Sequence, residues 1–269
     1  MAHQNRLANT HVLVFGGTSG IGFAVANMSL SYGARVTISG SVQPKVDDKV
    51  EKLRSFYPNM TASNIVGIAC DLSDTDNLEP NIKTLLDRAT ETGKKKIDHI
   101  AFTAGSLDGV PKVHDVTATS ALDGLGMRFV APAIIAKLLS TGLYMPLTAD
   151  SSFIVTGGTN TYRPMPGWAY VAARGSIASG LVRGLAVDMA PLRVNIVIPG
   201  AIQTELLQPM LNRMGAEGTE KMKKDNSLMK AFGQPEDIAE AYGYLMRDRF
   251  ATGSFVTSDG GRLLVSPEP

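Results

Sequence analysis

Short runs rich in β-branched residues alternate along this chain with longer segments of helical pattern. The predicted strands are His11–Gly17, Arg35–Gly40, Asn64–Cys70, Ile97–Thr103, Ser152–Thr156, Arg193–Ile198 and Ser254–Thr257. The predicted helices lie near Ile21–Ser31, Lys45–Tyr57, Asn77–Thr92, Ala121–Ser140, Ala169–Met189 and Pro235–Arg247. Each helix is long enough to return the chain across a sheet, which is typical of βαβ units. We therefore expect an α/β protein in which residues 1–269 form a single Rossmann-type doubly wound parallel sheet with helices on both faces.

The charge balance argues against several classes of partner. The 269 residues include 26 Lys and Arg and 25 Asp and Glu, so no excess of positive charge favours nucleic acid or a membrane surface. No apolar run approaches the roughly 18 residues of a membrane span, and the amino terminus lacks the apolar core of a signal peptide. We expect an intracellular, cytoplasmic protein. One cysteine, Cys70, and four histidines without metal-ligand spacing indicate neither a disulfide framework nor a metal site.

One long segment, 203–233, falls outside the alternation of strands and helices. It carries Met210, Met214, Met222 and Met229 among polar residues, and a long insertion in a compact domain is usually functional or disordered. We interpret it as a mobile substrate lid with an adaptable apolar underside. A helical excursion whose methionines merely pack is the alternative.

A glycine-rich turn follows the first predicted strand. The sequence Gly16-Gly17-Thr18-Ser19-Gly20-Ile21-Gly22 leads from that strand into an apolar helix. Glycines here allow a tight turn and let a pyrophosphate approach the backbone amides at the helix N-terminus. We predict that a dinucleotide cofactor is bound by Gly16, Thr18, Ser19, Gly20, Ile21 and Gly22.

The end of the second strand bears on which dinucleotide binds. No carboxylate stands between Ile38 and Lys45, where an NAD enzyme would place one on the ribose hydroxyls. Ser41 and Lys45 are candidates for binding a 2′-phosphate, which favours NADPH as the cofactor. An ordinary loop with a solvated lysine is the alternative.

Five landmarks in order resemble those of short-chain dehydrogenases, and the resemblance covers nearly the whole chain. They are Gly16–Gly22, Asp71-Leu72, Thr103-Ala104-Gly105, Arg193-Val194-Asn195 leading to Pro199-Gly200, and Asp259-Gly260-Gly261. The resemblance implies that Asp71 contacts the adenine, that Leu72 joins the cofactor site, and that Ala104 and Gly105 lie beside the adenosine ribose. It also implies that the nicotinamide is held by Pro199, Gly200, Ile202 and Thr204.

The residues that drive carbonyl reduction in that family are absent from their expected positions. The family uses a Tyr and a Lys, four residues apart, at the start of the helix after strand 5. When this helix is aligned from Leu181–Asp188, Val171 takes the tyrosine position and Gly175 the lysine position. Tyr170 and Arg174 are one residue out of register, which turns a side chain by about 100°, so we do not expect them to face the nicotinamide. A one-residue insertion, which would spoil the apolar stripe of the helix, is the alternative that restores them.

Two other family positions are also changed. The position of the family's catalytic serine, after strand 5, is a glycine within Thr156-Gly157-Gly158-Thr159. The position of its asparagine, in the fourth helix, is Arg128, whose guanidinium is a permanently charged, forked hydrogen-bond donor. Reduction of a ketone needs a positioned proton donor and an oxyanion stabiliser, and this chain has lost both. Reduction of an iminium needs neither, because hydride neutralises a substrate that is already cationic. We therefore expect iminium reduction to be the surviving activity.

The loop Arg163-Pro164-Met165-Pro166-Gly167-Trp168 narrows the resemblance. It is similar to a loop of short-chain dehydrogenase relatives from fungal prenylated indole alkaloid pathways, of the malbrancheamide and paraherquamide type. That resemblance implies reduction of a cyclic iminium with NADPH, and then an intramolecular Diels–Alder reaction that builds a bicyclo[2.2.2]diazaoctane. Those relatives carry an Asp where this chain has Met165. The change points to altered stereochemistry, a different substrate, or a reductase without a cycloaddition role.

The same resemblance assigns roles to the candidate catalytic residues Arg128, Trp168 and Met165. Trp168 would stack on an indole or azadiene, and Arg128 would hydrogen-bond a diketopiperazine carbonyl. The alternatives are a packing role for Trp168 and a salt bridge or subunit contact for Arg128. We expect a small, apolar, indole-containing substrate and a homo-oligomer, either a dimer or a tetramer.

Two other functions stay open. The first is an ordinary NADPH carbonyl reductase that uses Tyr170 and Arg174. The second is an NADPH-binding scaffold that reduces nothing, since the lysine that anchors the nicotinamide ribose in the family is missing.

Overall fold

The computed structural model describes residues 2–107 and 110–266 of the chain. Its strands are β1 His11–Phe15, β2 Arg35–Gly40, β3 Ile65–Ala69, β4 His99–Phe102, β5 Ser152–Thr156, β6 Arg193–Pro199 and β7 Phe255–Ser258. Its helices are α1 Gly20–Ser31, α2 Gln43–Phe56, α3 Leu78–Thr90, α4 Ala131–Leu139, α5 Ala169–Asp188, α6 Gln208–Asn226 and α7 Pro235–Arg247. Within these residues, no helix is both long and apolar enough to span a bilayer.

The seven strands form one sheet in the order β3-β2-β1-β4-β5-β6-β7. Every neighbouring pair is parallel. The direction in which the strands are added reverses between β1 and β4, which is the switch point of a doubly wound Rossmann sheet. The predicted fold class is confirmed.

Helices cover both faces of the sheet because its strands are apolar on both sides. In β1, Leu13 and Phe15 pack with residues of α3, α4 and α5, whereas Val12 and Val14 pack with residues of α1, α2 and α7. Successive side chains of a strand point to opposite faces, and all four of these are fully buried. Strands buried on both faces have continuous apolar runs, which is why the sequence reveals them.

The helix predicted over Ala121–Ser140 is interrupted. A π-helical turn, Gly126–Val130, precedes α4. Gly124, with a φ of +75°, stands just before this turn, and Pro132 in the first turn of α4 has no N–H to donate. A regular α-helix cannot run through these positions, and the widened turn carries Arg128.

The segment 203–233 is largely helical. It contains α6, which is kinked at Gly215, where φ is 69° and ψ is −174°. Met222 is buried and Met210 is half-buried, whereas the other two methionines of the segment are exposed. The buried side packs with Phe232 in a small apolar cluster separate from the two main cores. Two of the four methionines of this segment therefore lie on its apolar underside, and its role as a substrate lid stays a prediction.

Candidate active site

A cleft opens at the carboxyl ends of β1 to β4, where the strand order reverses. The glycine-rich turn borders this cleft, and two positions of the turn have no room for a side chain. A Cβ at Gly22 would lie 2.2 Å from the carbonyl oxygen of Gly16, and a Cβ at Gly16, whose φ is +77°, would lie 2.7 Å from the amide nitrogen of Ala104. The backbone at the start of α1 therefore faces the cleft directly, as a pyrophosphate site requires.

Most of the predicted cofactor residues meet in this cleft. It is lined by Gly16, Thr18, Ser19, Gly20, Ile21, Gly22, Ser41, Asp71, Leu72, Ala104, Gly105 and Thr204. The other nicotinamide candidates, Pro199, Gly200 and Ile202, line a pocket that adjoins it. Lys45 does not line the cleft, because it lies exposed in the first turn of α2. Ser39 does line it, and sequence reasoning missed this residue because it belongs to the strand pattern.

Two carboxyl groups border the cleft. The Asp71 carboxylate accepts hydrogen bonds from the backbone N–H of Ser73 at 2.9 Å and from its hydroxyl at 2.6 Å, and these bonds lower the pKa of Asp71. The Glu205 carboxylate accepts a hydrogen bond from the backbone N–H of Gly20 at 3.0 Å. The glycine-rich turn thus binds an anionic oxygen at the helix N-terminus. These residues fit a nicotinamide dinucleotide, whose pyrophosphate offers the same kind of acceptor.

The adjoining pocket lies between the ends of β5 and β6, the start of α5, and α6. Val171 and Gly175 line it and Tyr170 does not, in agreement with the register predicted for this helix. Arg174 also lines the pocket; that it does not face the nicotinamide stays a prediction. Positions 171, 174, 175 and 178 share one helical face, since residues three and four apart lie above one another. An offset of one residue therefore removes Tyr170 from this face but leaves Arg174 on it.

Among the described residues that line the pocket there is neither a tyrosine nor a lysine. Val171 lies where the sequence register predicts the tyrosine position, and a Cβ at Gly158, at the predicted serine position, would meet nothing within 4 Å. A Cβ at Gly175 would lie 2.0 Å from Oγ1 of Thr161. Thr161 therefore occupies the space that a side chain at position 175 would need.

Arg128 lines this pocket from the π-helical turn. Its Nη1 donates a hydrogen bond to the carbonyl oxygen of Thr156 at 3.2 Å, and a Cβ at Gly105 would lie 2.2 Å from its Nη2. Desolvation lowers the pKa of its guanidinium. Arg128 forms no salt bridge with any residue that the structure describes, so its charge is not used in an ion pair.

Trp168 and Met165 come to the pocket from the loop before α5. Both line it and both are half-buried. Met165 packs on the apolar cluster that includes Leu207 and Met222, so it joins this loop to α6. Trp168, at the N-terminus of α5, lies in the pocket wall rather than in the two main apolar cores.

A third arginine of the pocket, Arg262, was not predicted from the sequence. Its Nη1 donates to Oγ1 of Thr159 at 2.8 Å, its Nη2 to Oδ1 of Asn160 at 3.0 Å, and its Nε to Oδ1 of Asn226 at 2.9 Å. Arg262 is 3 % exposed. It connects the chain after β7 to the loop after β5 and to the end of α6, contacts between segments too distant in sequence for any local pattern to reveal.

The described residues contain no group of three or more His, Cys, Asp and Glu side chains placed to hold a metal ion. The pocket is lined by apolar groups, hydroxyls, amides and arginines. Its chemistry therefore rests on hydrogen-bond donors, positive charge and shape.

Comparisons with known proteins agree with this architecture. Residues 3–265 match the family described as an SDR-like Rossmann domain. The chain is 38% identical to the short-chain dehydrogenase/reductase malC of Malbranchea aurantiaca and 34% identical to the short-chain dehydrogenase/reductase fsr5 of Gibberella fujikuroi, each over 97% of both chains.

One solved structure is similar along its whole length. The MalC Reductase/Diels-Alderase from Malbranchea aurantiaca superposes with a TM-score of 0.89 at 39% identity, over 97% of this chain and 100% of that one. The fold, the cofactor cleft and these similarities lead to one conclusion. The chain belongs to the short-chain dehydrogenase/reductase family.

Proposed function

We propose that this protein is an NADPH-dependent reductase of a cyclic iminium in prenylated indole alkaloid biosynthesis, and that its pocket then steers an intramolecular Diels–Alder cycloaddition. The observation that carries the proposal is the pair Val171 and Gly175 in the pocket beside the cofactor cleft. Neither side chain can donate a proton or stabilise an oxyanion, so these two residues do not accelerate the reduction of a ketone. A cationic C=N bond requires only hydride and correct positioning. The similarity to the MalC Reductase/Diels-Alderase supports the second step.

The cofactor is NADPH in this proposal. The backbone amides of the glycine-rich turn would hold its pyrophosphate, Asp71 its adenine, and Ser39 and Ser41 the 2′-phosphate end, since no carboxylate at the end of β2 repels an anion. Lys45 is exposed one turn away and adds positive charge at that end. When bound, NADPH supplies the hydride that reduces the C=N bond.

The pocket residues orient the substrate. Trp168 forms a rigid aromatic wall on which an indole or azadiene stacks. Arg128 has donors beyond the one used on Thr156, and these bind a carbonyl oxygen of the substrate. Met165 adds an uncharged wall, and α6, within the substrate lid 203–233, covers the site with Met210 and Met222. Holding the flexible substrate in one reactive fold is the contribution that a cycloaddition needs.

We further propose a cytoplasmic homo-oligomer, a dimer or a tetramer. Ile177 and Val187 of α5 and the adjacent Phe129 and Val130 before α4 are exposed apolar residues. A second copy of the chain that packs on α4 and α5 would remove them from water.

The test is NADPH consumption by the purified protein. A cyclic iminium made from a prenylated dipeptide aldehyde is compared with a panel of ketones, and products are resolved by chiral chromatography. Consumption with the iminium alone is expected, with one enantiomer of a bridged product. Turnover of ketones would contradict the proposal, and tight NADPH binding without any turnover would favour a non-reducing scaffold.

Tyr170→Phe separates the proposal from an ordinary carbonyl reductase. Because Tyr170 does not line the pocket, the variant should reduce the iminium within about twofold of the wild-type rate. Abolished activity would restore Tyr170 as the proton donor. Trp168→Ala is the matched positive control, because it removes a wall of the pocket and should lower activity.

A further inference from the structure

The pocket wall holds a guanidinium that forms no salt bridge with the described residues. Arg174 is 8 % exposed, and its Nε and Nη2 are buried without a hydrogen-bond partner in the part of the chain that the structure describes. Asp123 acts on it only through its longer-range field, since no salt bridge joins them. Burial of an unpaired guanidinium costs free energy. A ligand that offers a hydrogen-bond acceptor and a negative charge would therefore be bound favourably at this side chain.

Arg174 lines the pocket, and its guanidinium packs against the backbone beside it. It lies against the backbone of Gly124, where a Cβ would come within 2.8 Å of Cζ and where φ is +75°. Gly175, the next residue of α5, leaves the adjacent wall without a long side chain. Arg128 is close enough for the charge of Arg174 to lower the Arg128 pKa. Two guanidiniums therefore share one pocket.

Among the described residues, no acidic side chain offsets these charges at the pocket surface. Within residues 2–107 and 110–266, those that line the pocket include three arginines and neither Asp nor Glu. The donors of Arg262 are engaged with Thr159, Asn160 and Asn226, whereas Arg174 has two buried nitrogens free of such bonds. The unmet hydrogen-bonding capacity is therefore concentrated at Arg174.

We propose that Arg174, together with Arg128, forms an anion subsite of the substrate pocket that binds a negatively charged oxygen of the substrate. This inference rests on the proposed function of the pocket as the substrate site and deepens it. A carboxylate or enolate oxygen supplies both the hydrogen-bond acceptor and the counter-charge that Arg174 lacks, and guanidinium binds such oxygens in a fork. A substrate with a cationic nitrogen then has to carry a negative oxygen as well, because two guanidiniums repel a bare cation.

Trp168 provides a direct readout of binding that does not depend on turnover. It is the single tryptophan of the chain and it lines the pocket. Quenching of its fluorescence is titrated with 3-phenylpropionate and, in parallel, with the uncharged 3-phenylpropionamide, which matches it in shape. Charge-assisted hydrogen bonds predict about tenfold or tighter binding of the carboxylate. Inorganic phosphate is added as a competitor, to show whether any small anion suffices.

Three variants assign the preference to residues. In Arg174→Met the carboxylate should lose about tenfold in affinity while the amide binds as before, and Arg174→Lys should retain part of the preference because it retains the charge. Arg183→Met is the matched control, since Arg183 lies on the same helix but is exposed, over the ring of Phe255 at 4.4 Å. It should leave both affinities unchanged.

The ligand-free stability of Arg174→Met is the second measurement. Removal of an unpaired buried charge should leave the melting temperature unchanged or raise it. A large fall would show that the protein itself satisfies Arg174 and would overturn the inference. Equal binding of carboxylate and amide by the wild type, or a preference that survives in Arg174→Met, would overturn it too.

The binding titration and the turnover assay fail independently. A protein that prefers the carboxylate but does not consume NADPH with the iminium keeps the anion subsite and loses the reductase function. A protein that reduces the iminium without this preference keeps the function and loses the subsite.

Discussion

Two buried histidines should make the stability of this protein depend on pH. His11 in β1 and His99 in β4 are 3 % and 2 % exposed. Desolvation, reinforced by the charge of Arg35, lowers the pKa of His11 to about 4. Desolvation, reinforced by Arg193, lowers the pKa of His99 to about 3. The folded protein therefore keeps both rings neutral in a pH range where the unfolded chain binds protons.

The sign and size of the effect follow from this difference. Because both folded-state pKa values lie below the usual 6.5, their contribution to stability is complete above pH 6.5 and is lost as the pH falls towards the folded-state values. At pH 5 the unfolded histidine titrates about 1.5 units above the pH, and one unit is worth about 1.4 kcal/mol. Each ring should then cost about 2 kcal/mol relative to pH 8, and the two together about 4 kcal/mol.

Urea denaturation at pH 8 and pH 5 measures this loss in the wild type, His11→Gln, His99→Gln and the double variant. Each single variant should reduce the pH-dependent part by about 2 kcal/mol, whatever it does to stability at pH 8. His114→Gln is the control, because His114 is exposed and should change nothing. Burial raises the pKa of Asp98, and this shift makes the folded protein more stable as the pH falls, opposite to the effect of the histidines. The comparison of each variant with the wild type therefore isolates the contribution of the histidines. An unchanged pH dependence in the double variant, or an NMR titration of either ring near pH 6.5, would refute the reasoning.

Three further predictions concern the two clefts. Gly175→Ala should destabilise the fold by about 1–3 kcal/mol because its Cβ would displace Thr161, whereas Gly180→Ala, with nothing within 4 Å, should gain up to about 1 kcal/mol; paired chemical denaturation curves measure both. Met165→Asp places a negative charge opposite the pocket arginines, so the affinity for the carboxylate probe should fall and that for a cationic amine of the same shape should rise, by about tenfold each in fluorescence titrations. Glu205→Gln removes the carboxylate bound to the N–H of Gly20, so calorimetry should show NADPH binding several-fold tighter; weaker binding would mean that Glu205 supports the cofactor instead of competing with it.

The fold and the cofactor cleft were predictable from the sequence for a physical reason. Parallel strands buried on both faces appear as continuous apolar runs, and a turn that receives a pyrophosphate must consist of small residues after a strand. These are local requirements, so residues adjacent in the chain record them. The register of α5 was predictable in the same way, because its apolar stripe repeats along the helix and places Val171 and Gly175 on the inner face.

Other features of the site depend on contacts between distant segments. The burial of Arg174 is set by Gly124, fifty residues earlier in the chain, and the network of Arg262 by Thr159 and Asn160, about a hundred residues earlier. Glycine and proline in the sequence account for the break before α4. The contact between Arg128 of the widened turn and the end of β5, in contrast, is visible only in three dimensions.

The sequence by itself determined the doubly wound parallel sheet and the glycine-rich turn that borders the cleft, because helical and strand periodicity and backbone turn geometry are local properties. Only the tertiary structure decided where the charges of the pocket lie. Whether an arginine is paired, exposed or left without a partner depends on groups that folding brings together from separate strands and helices. The positive pocket lined by Arg128 and Arg174 is therefore a property of the assembled sheet and not of any one segment.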